Sequence, residues 1–177
     1  MKKMDTGTWR AFPIGGNNGL FDVVKGKRLT KADMREGKTN YIGASALNNV
    51  ITATISNDEH LHPANTITVS YNGSIGEAFY QTEAFWASDD VNVLYPRFRM
   101  SRQIAMFLIP LIRVEGKKYA FVDKWTKDQM EASCLMLPAT SSGQPDFAYM
   151  EQYMTALEKR VKSTVNLLVR LNGGGVR

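Results

Sequence analysis

Residues 150–171 read MEQYMTALEKRVKSTVNLLVRL. Within them Met150, Met154, Leu157, Val161, Thr164, Leu168 and Leu171 recur at alternating spacings of four and three. Such alternation keeps one stripe of a helix facing a partner, as the a/d seam of a coiled coil does. A helix over these residues spans about 32 Å at 1.5 Å per residue. Past Thr164 the apolar surface widens to Val165, Leu167 and Val169, more than one partner helix covers. Thr164 itself is a polar seam position, of the kind that weakens packing and fixes register. The competing reading folds the helix back onto its own domain. Pro145-Asp146 opens the helix and Gly173-Gly174-Gly175 closes it, while Ala139 to Gln144 reads as a linker. The expected division is a domain over 1–144 and a dimerisation or spacer helix over 145–172.

Upstream of this helix the texture is mixed and strand-rich. Trp9 to Ile14 reads as a strand, Gly15 to Gly19 as a turn and Leu20 to Val24 as a second apolar segment. Thr30 to Glu36 is expected to form a short helical turn before Gly37. Tyr41-Ile42-Gly43, Ile51 to Ile55, Thr66 to Tyr71, Ala78-Phe79-Tyr80 and Val91 to Tyr95 are β-branched or aromatic runs between Asn-, Gly-, Asp- and Pro-rich breaks. Asn72-Gly73 is a tight-turn signal. Arg102 to Ile112 reads as a buried helix, Asp128 to Ala132 as a brief one, and Leu135 to Pro138 as a last strand. The fold class expected is α+β, a strand-rich domain followed by a long coiled-coil-type helix.

A chain of 177 residues with 44% apolar content builds one domain with a core and an appendage. No apolar run is long enough to span a membrane, and Pro110 and Arg113 interrupt the longest. The charged start, Met1 to Thr6, has no apolar stretch behind it, so no signal peptide is expected. The lone Cys134, between Ser133 and Leu135-Met136-Leu137, is expected to be a buried structural thiol in a cytoplasmic protein.

The net charge is +5, and it is unevenly spread. Residues 39–96 hold no Lys or Arg but six acids. The cations concentrate in two blocks, Lys25 to Lys38 and Arg97 to Lys127. If the fold joins them they form one electropositive face suited to a polyanion. Asn, Thr, Ser and Gln are dense between Asn40 and Gln81, and their paired donors and acceptors match base edges as well as turns.

Catalytic signatures are sparse. His60 and His62 form a His-x-His pair with no further Cys/His set, so a loop role is expected and no metal. Asp89-Asp90 and Glu115-Gly116-Lys117 match a nuclease metal site only formally. No P-loop, cofactor glycine loop or nucleophile–base pair stands out. A non-catalytic chain is expected.

Four collinear segments carry a family resemblance. They are Phe21 to Leu29, Tyr41 to Asn49 (YIGASALNN), Asn65 to Tyr80 (NTITVSYNGSIGEAFY) and Phe85 to Pro96 (FWASDDVNVLYP). Together they resemble the target-recognition domains of bacterial type I restriction-modification DNA specificity subunits. This sequence departs in having Val50 where a glycine often follows the Asn pair. The resemblance implies a recognition domain that docks on duplex DNA and a long helix that packs antiparallel on a second one. The full subunit has two of each, so this chain is similar to a half-subunit that homodimerises to read a bipartite site. Catalysis would then belong to a partner DNA methyltransferase using S-adenosylmethionine, with a restriction subunit adding cleavage. Lys27, Arg28, Lys31, Asn48, Asn49, Asn72, Lys124 and Lys127 are the expected DNA contacts, lying in the basic blocks and polar loops. An alternative is a non-enzymatic interaction protein that binds and blocks such a methyltransferase.

Overall fold

A computed structural model describes residues 6–173, and of residues 171–173 the backbone alone. Nine strands and three α-helices are described: β1 (Trp9–Pro13), β2 (Phe21–Lys25), β3 (Glu36–Ile42), β4 (Ile51–Ile55), β5 (Thr66–Ser70), β6 (Ala78–Gln81), β7 (Phe85–Ala87), β8 (Val91–Pro96), α1 (Arg102–Gly116), α2 (Lys127–Ala132), β9 (Cys134–Pro138) and α3 (Phe147–Gly173).

The β-branched run of β5 sits inside a four-stranded sheet of order β2-β8-β5-β6, antiparallel throughout. Strand alternation sends its side chains to two different cores. Ile67, Val69, Ala78 and Leu94 face α1 and join Ile104, Leu108 and Ile112 in the main core. Val91 and Val93 face the opposite way, onto Ile42, Val50, Phe85 and Ala87. Those residues belong to a three-stranded sheet of order β4-β3-β7, in which β3 and β7 run parallel. β1 and β9 pair antiparallel as a separate ribbon beneath α1 and α3. The α+β class expected from the sequence holds.

α1 is capped by Ser101, whose hydroxyl accepts from the Ile104 N–H at 3.3 Å. It tolerates Pro110 on its exposed side and runs to Gly116, four residues beyond the expected end. Two glycines set its contact with the β5–β6 turn. A Cβ on Gly116 would lie 2.5 Å from the Gly76 Cα, and Gly76 has φ +80°.

Three expectations need correction. Cys134 is exposed, because β9 turns Leu135 and Leu137 inward and leaves Cys134 and Met136 outward. The turn expected over Thr30 to Glu36 is a single hydrogen-bonded turn at 31–33, where the Thr30 carbonyl accepts from the Asp33 and Met34 N–H groups, and it stops short because Glu36 already opens β3. β7 lies outside the expected strands; it is three fully buried residues, held by mutual backbone bonds between Phe85 and His62.

α3 is better anchored than a free appendage. Met150 is wholly buried, Met154 and Tyr153 pack on the main core, and Phe147 stacks on Phe98 at 4.1 Å. Arg102 pairs with Glu158 where the helix leaves the domain. From Lys159 to Arg170 every residue is exposed. No described helix is long and apolar enough to cross a membrane.

Candidate nucleic-acid interface

The two basic blocks meet where β2 ends. Lys25 pairs in register with Asn92 on β8, and the β5–β6 turn delivers Tyr71 beside it. The Lys25 ammonium lies 5.2 Å from the Tyr71 ring centroid. Its pKa is raised, first by the adjoining Tyr71 side chain and then by the charges of Asp89 and Asp90. From the second block, Thr126, Lys127 and Asp128 close a depression of about 180 Å³ together with Lys25, Tyr71 and Asn92. A capping box fixes this rim, with Thr126 accepting from the Gln129 N–H and Gln129 accepting from the Thr126 N–H. Lys127 stands 3.6 Å from Glu131 across an exposed turn of α2, a pairing of small energetic weight.

Asn92 is fully buried, and neither its amide oxygen nor its nitrogen has a hydrogen-bond partner among the described residues. Asn72 donates to Asp90 at 2.8 Å, which leaves its own buried oxygen unpartnered. Polar groups of this kind are costly unless something supplies the missing bond.

The chain then runs from Lys25 into a second, wider depression of about 420 Å³ rimmed by Lys27, Arg28, Arg35, His60 and Trp86. Trp86 is buried and donates its indole N–H to the Lys27 carbonyl at 2.7 Å, which fixes the backbone carrying both cations. Arg28 lies 3.9 Å from Asp89 and remains largely exposed. Lys31 stands exposed on the neighbouring turn.

Lys124 belongs to the segment between α1 and α2, with its ammonium 5.5 Å from the Phe121 ring. Asn48 and Asn49 occupy the β3–β4 loop, where Asn48, Asn49 and Val50 all have positive φ. Three consecutive left-handed residues explain why glycine suits position 50, and a buried β-branched Val50 at φ +60° is strained. The two amides bond within the domain, Asn48 to the Ile51 carbonyl and Asn49 to Gln81. Ala44 of the same loop approaches Gly73 of the Asn72 turn.

The structure therefore brings Lys127 and Asn72 around Lys25 and Tyr71, with Arg28 tied in through Asp89. Sequence reasoning missed Lys25, Tyr71 and Asn92. Asn92 did carry a signal, as the one polar residue inside the apolar run Val91 to Leu94.

The weaker candidates resolve into structural roles. His62 is buried, stacked on Phe85, and hydrogen-bonded to the Tyr95 hydroxyl. Burial, then the charge of His60, lowers its pKa to about 4. Asp90 accepts from Asn72, and Glu115 pairs with Lys118 rather than Lys117. No group of three or more His, Cys, Asp or Glu suited to a metal occurs among the described residues.

The helical seam divides. Met150 is internal, Met154 and Leu157 are half-buried, and Val161, Thr164 and Leu168 are exposed. Val161 and Leu157 line an apolar groove of about 460 Å³ beside Arg102, where α3 departs. The side chain of Leu171 lies outside the described residues.

Comparison with known proteins matches residues 8–167 to the type I restriction modification DNA specificity domain. A specificity subunit, S.BcgI, of a type II restriction enzyme from Heyndrickxia coagulans is 35% identical over 158 residues, covering 87% of this chain and 45% of that one. The HsdS subunit of Thermoanaerobacter tengcongensis superposes with a TM-score of 0.62 at 16% identity, over 97% of this chain and 42% of that one. A type I S subunit from M. genitalium gives 0.59 at 17% identity, over 94% and 44%. At those identities the likeness speaks for the fold. The chain spans less than half the length of each of these relatives.

Proposed function

We propose, from the premise that this chain belongs to the type I restriction-modification DNA specificity family, that it recognises duplex DNA through the face where its two lysine blocks meet. The observation that carries this is the convergence of Lys25 and Lys127 on Tyr71 and the unpartnered Asn92. Lysines there, with Lys27, Arg28, Lys31 and Lys124, neutralise phosphates and set the register of docking. The amides of Asn72, Asn48 and Asn49 are the groups of the right chemistry to read base edges nearby.

The reading extends to assembly. A second copy covers the exposed apolar half of α3, and the resulting homodimer reads two half-sites held apart by paired helices. This chain positions DNA and performs no bond-making. A methyltransferase subunit carrying S-adenosylmethionine supplies the chemistry, a restriction subunit can add cleavage, and the setting is the cytoplasm. Selection of a randomised duplex library by the chain, alone and with its methyltransferase, tests the proposal. Enrichment of a split, inverted site is the expected result. Methyltransferase binding with no enrichment would instead make the chain a blocker of that enzyme.

A further inference from the structure

The segment joining α1 to α2 spends two large apolar residues on solvent. Phe121 is 75% and Val122 96% exposed. They form the tip of a two-residue turn closed by reciprocal backbone bonds between Ala120 and Asp123.

This tip stands on a rigid base. Tyr119 and Trp125 flank it in sequence and stack at 5.4 Å with planes 12° apart. Trp125 is fully buried, and its indole N–H donates to the Ser133 hydroxyl at 3.0 Å. The Tyr119 hydroxyl reaches the same Ser133 oxygen at 3.1 Å, and Ser133 donates onward to the Gln129 carbonyl. Gln129 also holds the Asp123 carboxylate at 2.9 Å. The turn is thus built to hold its apolar tip outward.

Its surroundings are cationic. Residues 117–127 contain four lysines and one acid. Lys124 sits against the Phe121 ring, and Lys127 belongs to the depression where the basic blocks meet. An apolar tip ringed by cations matches one polyanion with an apolar interior, stacked duplex DNA. Proteins that enter the minor groove use such residues to part a base step. A two-residue turn suits that groove, which is about 6 Å wide.

We propose that Phe121 and Val122 are a wedge that enters the duplex at a base step when the lysine face docks. This rests on the DNA-recognition reading above and adds a distortion of the bound duplex to it. The lysines fix the approach, and the wedge makes binding depend on how readily the touched step unstacks.

The test uses the duplex enriched from the randomised library, with 2-aminopurine placed singly along it, and a scrambled duplex as control. Wild-type chain should raise 2-aminopurine fluorescence at one step. The Phe121→Ser/Val122→Ser variant should lose that signal and about tenfold in affinity for the enriched duplex. Its affinity for scrambled duplex and its salt dependence should be unchanged, because no lysine is altered. Phe121→Leu keeps apolar bulk and should retain the signal, which guards against a double variant that folds poorly. An unchanged signal and affinity in the double variant overturns the wedge. Intact DNA binding with loss of methyltransferase co-purification also overturns it and makes the tip a protein dock. A wild type that binds enriched duplex with no fluorescence change removes the wedge while leaving DNA recognition standing. A wild type that enriches no sequence removes both.

Discussion

The Nδ1 of His62 lies 2.9 Å from the Tyr95 hydroxyl, across the seam between the β7 side and β8. The imidazole is neutral in this setting, since burial and then His60 lower its pKa from 6.5 to about 4. An unfolded chain protonates His62 near its ordinary pKa, so it binds more protons than the folded chain throughout that interval. Stability is therefore fully present above about pH 6.5 and falls as pH drops toward about 4, by up to roughly 3 kcal/mol. Urea titrations across this range should show the decline, and His62→Gln should flatten it. A wild-type midpoint constant from pH 7 to pH 4 contradicts the assignment.

Ser133 serves Trp125, Tyr119 and Gln129 with one hydroxyl. Ser133→Ala leaves the buried indole N–H without an acceptor, a loss of about 1–3 kcal/mol. Chemical denaturation measures it, with a red-shifted Trp emission as the accompanying sign. Equal stability of variant and wild type would show that the stack alone holds the segment.

Lys25→Ala and Lys127→Ala should each weaken enriched and scrambled duplexes alike and lower the salt slope by about 1. A loss confined to the enriched duplex would make the altered lysine a base reader rather than a phosphate contact. Salt-dependent anisotropy separates the two.

The helical stripe predicts two different phenotypes from one sequence pattern. Met150→Ala opens a cavity in the domain and costs about 2–5 kcal/mol. Leu168→Glu changes an exposed position and should leave the thermal midpoint alone while shifting sedimentation toward monomer. A monomeric wild type at every concentration would sink the homodimer reading.

The strands were legible where β-branched residues run between turn signals, as in Thr66 to Ser70. β7 escaped notice because three residues cannot show an alternation, and its place depends on β3 and His62, which are distant in sequence. Apolar neighbours alone suggest burial for Cys134, whereas the period-two sidedness of β9 turns it outward. The basic blocks were visible as composition, but their junction is a product of the β2–β8 register and the position of α2. Lys25 looked like one cation among many until Tyr71 and Asn92 stood beside it. Val50 stands out in the sequence, and the reason lies in its backbone angle of φ +60°.

The stacked pair Phe98–Phe147 and the buried Met150 have a mechanical corollary. The junction of head and shaft is interlocked by a hydrophobic core, so it cannot swivel without breaking that core. Torque applied to the free end of α3 is delivered to the globular part as a rigid lever would deliver it. Any bending in a larger assembly must fall on the shaft beyond Glu158 or on the other subunits. In the proposed dimer the rotational phase and distance of the two DNA half-sites would accordingly be set by the paired shafts alone.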